Sequence, residues 1–207
     1  MLNVKTVSVV LLLLAASSLA WSNTNVALNA SVTTMGSDFL SGPQTSGACS
    51  ATPSASSVLT SGTFFAEGTC WLDGVAWTAN ANGAPDYVDI DLGGAYSISS
   101  AIVQADDNDS YELQYLGTDN AYHDWWNVAS VNAWGLVTRP SGDQTTQQSL
   151  PTVTATGLRL FATGGDGEYA LGQVEVFGNA VGTPEPGALM LLGAGLSGLG
   201  LLRRRRK

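Results

Sequence analysis

The segment Tyr87–Leu92 (Tyr-Val-Asp-Ile-Asp-Leu) constrains the fold more than any other stretch. Val88, Ile90 and Leu92 fall on one side of an extended chain, and Tyr87, Asp89 and Asp91 on the other, because side chains alternate across a strand. That period of two marks a strand with one face buried and one face wet. Gly93-Gly94 is predicted to end it. Other short segments have strand character: Asn25–Thr34, weakly, then Ser97–Ala105, Tyr111–Leu116, Gly157–Thr163 and Leu171–Phe177. Turn-forming residues separate them, at Gly83-Ala84-Pro85, Asp106–Asp109 and Gly164–Gly167. Gly36–Ser61 reads as a long loop, Thr63–Ala79 is dense in aromatics, and Tyr122–Val137 carries Trp125, Trp126 and Trp134. Nothing between Trp21 and Thr183 sustains a helical period, so an antiparallel sandwich or barrel is expected.

The two ends of the chain read differently. Lys5, the apolar run Val7–Leu14 and the small residues of Ser18-Leu19-Ala20 have the order of a secretory signal peptide over residues 1–20, with a retained N-terminal anchor as the alternative. At the other end, Pro184-Glu185-Pro186 forbids helix and holds the chain extended. Gly187–Leu202 then carries no charge and spans about 24 Å as a helix, marginal for a ~30 Å hydrocarbon core. Arg203–Lys207 closes the chain with a basic cluster that stays cytoplasmic. A rigid motif beside a short anchor suits cleavage by a membrane protease. The segment Thr183–Lys207, with Pro184, Glu185, Pro186 and Gly187 at its start, resembles the PEP-CTERM sorting signal. The resemblance implies processing by an exosortase-type protease and delivery to the cell surface or an exopolysaccharide matrix. A plain tail anchor is the alternative.

Removing both ends leaves about 163 residues, enough for one domain with a core. It also leaves only Arg139 and Arg159 as cations, against sixteen of the seventeen acidic residues. Such a surface repels nucleic acid and anionic lipid and favours solubility outside the cell. It would also attract divalent cations. Cys49 and Cys70, the only cysteines, would close a loop of about twenty residues as a disulfide, worth roughly 3 kcal/mol in an oxidising compartment; two free thiols are the alternative.

Asn25-Val26-Ala27, Tyr87–Gly93 and Gln173–Gly178, taken in order, look like a discoidin (coagulation-factor type C) domain. The resemblance covers roughly Asn25 to Gly178, within a domain over residues 21–182, and implies an all-β, galactose-binding-like jelly roll, an antiparallel β-sandwich flanked here by the signal peptide and a C-terminal hydrophobic helix. Gln104–Tyr111 also looks like a subgroup found with PEP-CTERM tails. In this fold calcium is often held by carbonyls of an early loop and a carboxylate from the last strand. Oxygen ligands are what a hard cation requires. Glu175 matches that carboxylate. Ser61-Gly62 stands in place of the usual Asp-Gly, and Gln173 where a second acid is common. A structural Ca2+ at Ser61, Gly62 and Glu175 is thus one reading, and an outward-facing Glu175 the other.

Candidate ligand residues follow from chemistry. A flat aromatic ring stacks on the C–H face of a sugar while polar neighbours fix its orientation. Adjacent tryptophans on a strand would put one inside and one outside, making Trp126 the candidate platform beside Trp125. Tyr122, His123, Tyr169 and Arg139 are candidate polar partners, and Arg139 precedes Pro140 in an extended conformation. Asp107, Asn108 and Asp109 make either a ligand rim or a solvated turn. Trp71 and Trp77 read as packing residues. No nucleophile elbow, metal-ligand cluster or phosphate loop is present, so a non-catalytic role is expected. The function reading is a surface or matrix protein binding extracellular polysaccharide. The competing reading is a structural matrix or adhesion component bridged by divalent cations.

Overall fold

The computed structural model describes residues 23–79 and 86–182. The leader at 1–20, the turn at 83–85 and the sorting segment at 183–207 lie outside the described residues. Eleven strands occur within them: β1 Thr24–Asn25, β2 Ser31–Met35, β3 Gln44–Ser46, β4 Cys49–Ala51, β5 Val75–Thr78, β6 Tyr87–Asp106, β7 Ser110–Leu116, β8 Tyr122–Val128, β9 Leu136–Arg139, β10 Gln148–Gly164 and β11 Glu168–Ala180. Two short 3-10 turns, Ser56–Thr60 and Trp71–Asp73, are the only helical elements described. Every pairing is antiparallel.

β6 organises the sandwich. Its first half, Tyr87–Asp91, pairs with β2 and with Gly157–Phe161 of β10, which continues to β7 and β8. Its second half pairs with β11 and β9, and through Tyr96–Ala101 with β10 as well, and β11 continues to β1 and β5. Around Gly93-Gly94 the partner on one side changes from β2 to β11, while β10 stays paired on the other. The expectation from sequence that these glycines end the strand is therefore not met: they lie inside β6, where β2 gives way to β11. Gly93 has φ 71°, a conformation that costs glycine little and other residues much.

The predicted inward face is correct. Val88, Ile90 and Leu92 pack with Leu113, Leu158 and Leu160 from one layer and Ile98, Val103, Val174 and Val176 from the other. The weakly alternating Asn25–Thr34 splits into β1 and β2. Asn25 Oδ1 accepts the N–H groups of Ala27 (3.1 Å) and Val176 (3.3 Å), fixing a turn where one strand was expected. The long loop 36–61 folds back as the β3–β4 hairpin and the first 3-10 turn. Cys49 and Cys70 form a disulfide, with 5.5 Å between Cα atoms. It sits in a second small core with Leu72, Ala76, Leu136 and Ala170. Trp77 is buried, with Phe39, Tyr111 and Tyr169 around it at centroid distances of 5.4, 6.1 and 5.8 Å.

Candidate functional site

β6 ends at Asp106 and β7 begins at Ser110, so the acidic tetrad Asp106–Asp109 forms the connection between the layers at one end of the sandwich. Arg139, the last residue of β9, pairs with Val103 and points into this connection. Only 2% of it is exposed. Its Nη1 donates to the carbonyls of Ala105 (2.5 Å) and Val137 (2.8 Å). Nη2 donates to Asp106 (2.5 Å), Asp107 (3.0 Å) and Asp109 (3.4 Å), and Nε to Ala129 (3.3 Å). The guanidinium thus spends all its donors on backbone. That corrects the expectation that Arg139 contacts ligand: a fork of five donors suits a turn whose carbonyls point inward, and here it closes one.

Asp107 and Asp109 are also buried, not a solvated turn or an open rim. Asp109 Oδ1 accepts Asp166 N–H (3.3 Å), and its Oδ2 lies 3.2 Å from the Tyr111 hydroxyl, which also reaches Ala170 O (3.0 Å). Gly165 (φ 146°) has no room for a side chain, since a Cβ there would lie 1.6 Å from Asp109 Oδ1. Asn108 alone of the three faces solvent, its amide donating to Asp166 Oδ2 (2.9 Å). Among the described residues, no group of three or more His, Cys, Asp or Glu is arranged to hold a metal.

Gathering carboxyls in a dry place raises their affinity for protons. Burial first, and the Asp109 charge second, push Asp106 up to about 7. Burial and then Asp166 push Asp109 up to about 7. Both hold protons more tightly folded than unfolded. Their contribution to stability is therefore full below the ordinary carboxylate range and is lost as pH rises through about 7. The melting temperature is expected to be higher at about pH 5 than at about pH 8. Asp109→Asn should narrow that difference. A melting temperature that falls over this acid step would contradict the assignment.

The tetrad positions a second loop. Val131 N–H donates to Asp107 O (2.7 Å) and Ala133 N–H to Asp107 Oδ2 (3.2 Å). Leu136 and the Gly68-Thr69 turn exchange backbone bonds at 2.8 and 2.9 Å. Between these anchors Trp134 is 53% exposed, a large apolar ring held at the surface on a tethered backbone. In the sequence Trp134 is one aromatic of a rich stretch, with no role assigned to it. Its signal was its setting: Asn132-Ala133-Trp134-Gly135 is turn-like, whereas Trp125-Trp126 lies in a strand.

Trp126 is not an outward platform. The register between β7 and β8 shifts after Leu113–Trp126, so that Gln114 faces Asp124 and Trp125 is the extra residue of a bulge. Strict alternation fails there, and both tryptophans pack inward. Trp125 is buried with its indole donating to Pro151 O (2.9 Å), and half-buried Trp126 rests against the main core. Tyr169 belongs to the aromatic cluster around Trp77. Tyr122 stacks on the Arg159 guanidinium (3.9 Å), which Tyr87 covers from another side (3.7 Å) while Asp89 binds it at 2.7 Å. His123 lies with Asp119 (2.9 Å) and Tyr115 in an open depression of about 430 Å³ by the β7–β8 turn, away from the tetrad. Ser61-Gly62 follow the first 3-10 turn, and Glu175 is half-buried on β11 beside the Asn25 side chain. The structure therefore does not bring Trp126, Arg139 and Tyr169 together as a ligand face.

Two antiparallel layers sharing a crossing strand, with loops gathered beyond Asp106, define a galactose-binding-like β-sandwich. Solved structures show the same fold. A mutant of the lectin-binding domain of lectinolysin complexed with Lewis b superposes with a TM-score of 0.53 at 11% identity, covering 77% of this chain and 99% of that one. A fucose-binding module of Streptococcus pneumoniae superposes with a TM-score of 0.50 at 11% identity, covering 77% and 99%. The chain ends in a PEP-CTERM protein-sorting motif, which matches residues 183–207. No curated protein matches the chain in sequence. The chain thus has a galactose-binding-like β-sandwich fold and carries a PEP-CTERM protein-sorting motif.

Proposed function

We propose that this chain is a non-catalytic protein of the cell surface or exopolysaccharide matrix that binds carbohydrate through the loop end bearing Trp134. In this reading residues 1–20 are a leader, residues 21–182 the binding domain, and residues 183–207 a signal that anchors the chain in the membrane until an exosortase-type protease processes it. One observation carries the binding role: a tryptophan more than half exposed on a loop whose backbone is fastened to buried Asp107. An aromatic face that is already ordered loses little entropy when a sugar stacks on it. Asn108 and Asp166, exposed at the same tetrad, supply amide and carboxylate groups suited to sugar hydroxyls. The sorting motif and a fold shared with sugar-binding modules support the reading. The acidic surface, sixteen carboxylates against two cations, supports the competing role of a matrix component bridged by divalent cations.

A glycan array with the full chain, with and without calcium, separates the two. Binding that survives a chelator and falls at least about tenfold in Trp134→Ala, a loss of 1.4 kcal/mol or more, is the expected result. Trp126→Ala should lower the melting temperature and leave the glycan profile unchanged. Failure of the wild type to bind any glycan, with calcium-dependent self-association instead, would establish the matrix role.

A further inference from the structure

The discoidin resemblance implies a calcium held by an early loop and the last strand, and Gln173 stands where a second acid is common in that family. Gln173 is fully buried on β11, facing the turn Ser56–Thr60. With its amide oriented to satisfy both neighbours, its NH2 donates to Val58 O (2.7 Å) and its carbonyl accepts Gly62 N–H (2.9 Å). The Ser61 hydroxyl lies 3.3 Å from the same amide. Val58 O also accepts Ser61 N–H (3.1 Å).

These contacts do not fit a calcium ion. A hard cation wants six to eight oxygens around it, whereas this spot offers the Val58 carbonyl, already in use, the Ser61 hydroxyl and the Gly62 N–H group turned inward. A primary amide, which donates and accepts at once, is the complementary group. Glu175, two residues further along the same face of β11, is engaged by the Asn25 side chain, whose Oδ1 in turn ties down Ala27 and Val176. We infer that the Gln173 amide replaces the cation, locking the Ser56–Gly62 turn onto β11 and freeing this sandwich from calcium.

Thermal unfolding of the full chain tests this. The wild-type melting temperature is expected to agree within about 1 °C in excess calcium and in EDTA, since a ligand stabilises only by binding the folded state. Gln173→Glu removes the N–H donor and sets a carboxylate among Val58 O, Ser61 and Gly62. It should melt lower than wild type in EDTA and recover in calcium. Gln173→Leu, which keeps the volume and loses both bonds, should melt lower by the same margin in both solutions. A wild-type chain stabilised by several degrees in calcium overturns the inference. So does a Gln173→Glu chain that is as stable as wild type in EDTA, or one that calcium leaves unrescued. None of these outcomes depends on glycan binding.

Discussion

Arg139→Met is expected to lower the melting temperature of the full chain by about 10 °C or more, at about 2–4 °C per kcal/mol. The guanidinium serves six backbone carbonyls, those of Ala105, Asp106, Asp107, Asp109, Ala129 and Val137. Methionine fills much of the space and satisfies none of them. Buried acceptors left without donors cost about 1–3 kcal/mol each when water cannot reach them. Removing the cation also leaves the buried Asp106, Asp107 and Asp109 without their compensating charge, and breaking a buried charge assembly from one side typically costs about 3–5 kcal/mol. Against a total stability of about 5–15 kcal/mol, that is a large fraction. Arg139→Lys should recover little, because a point-like ammonium with three donors does not reproduce a planar fork of five. Denaturant midpoints of the three proteins measure the effect. Had Arg139 been a ligand contact, Arg139→Met would keep its midpoint and lose only binding.

Reduction of Cys49–Cys70, or the double substitution Cys49→Ser with Cys70→Ser, is expected to cost about 3 kcal/mol, roughly 6–12 °C in melting temperature. The two cysteines are 21 residues apart, so the bridge removes the freedom of a sizeable loop from the unfolded chain. It also fastens the β3–β4 hairpin to the turn Trp71–Asp73, and that hairpin reaches the body of the sandwich through the bond from Ser46 Oγ to Glu168 Oε2 (2.7 Å). Scans with and without reductant, paired with thiol labelling of the denatured chain, measure it. Labelling of both thiols without reductant would show that the bridge does not form.

Much of the fold was legible because alternation is a local property of an extended chain. Tyr87–Leu92 announced its buried face without reference to any partner, and Tyr111–Leu116, Gly157–Thr163 and Leu171–Phe177 all lie within observed strands. Gly93-Gly94 misled for an equally local reason. Glycine pairs commonly end strands, but here they lie inside one strand, where β2 gives way to β11 and β10 stays paired. The turn composition of Asp106–Asp109 was also correct, since Asp and Asn do favour such positions.

The candidate site was less legible, because whether a polar side chain is exposed depends on segments far away in sequence. Arg139 looked like a loop residue before Pro140, and only the pairing of β9 with β6 aims it into the acidic turn. Trp126 looked outward until a bulge opposite β7 broke the alternation, leaving Trp134 as the exposed ring.

By itself the sequence determined the all-β class, the sorting motif at residues 183–207 and a stretch at 21–182 almost without cations. These rest on local periodicity and composition, which need no partner segment. The tertiary structure alone decided that Arg139 and Gln173 are buried fasteners, and that Trp134, not Trp126, is the tryptophan more than half exposed among the described residues. Each of those outcomes turns on register: where β9 and β11 lie along β6, and where β8 slips against β7. Register is a relation between distant strands, and one residue of slip moves a side chain from core to surface.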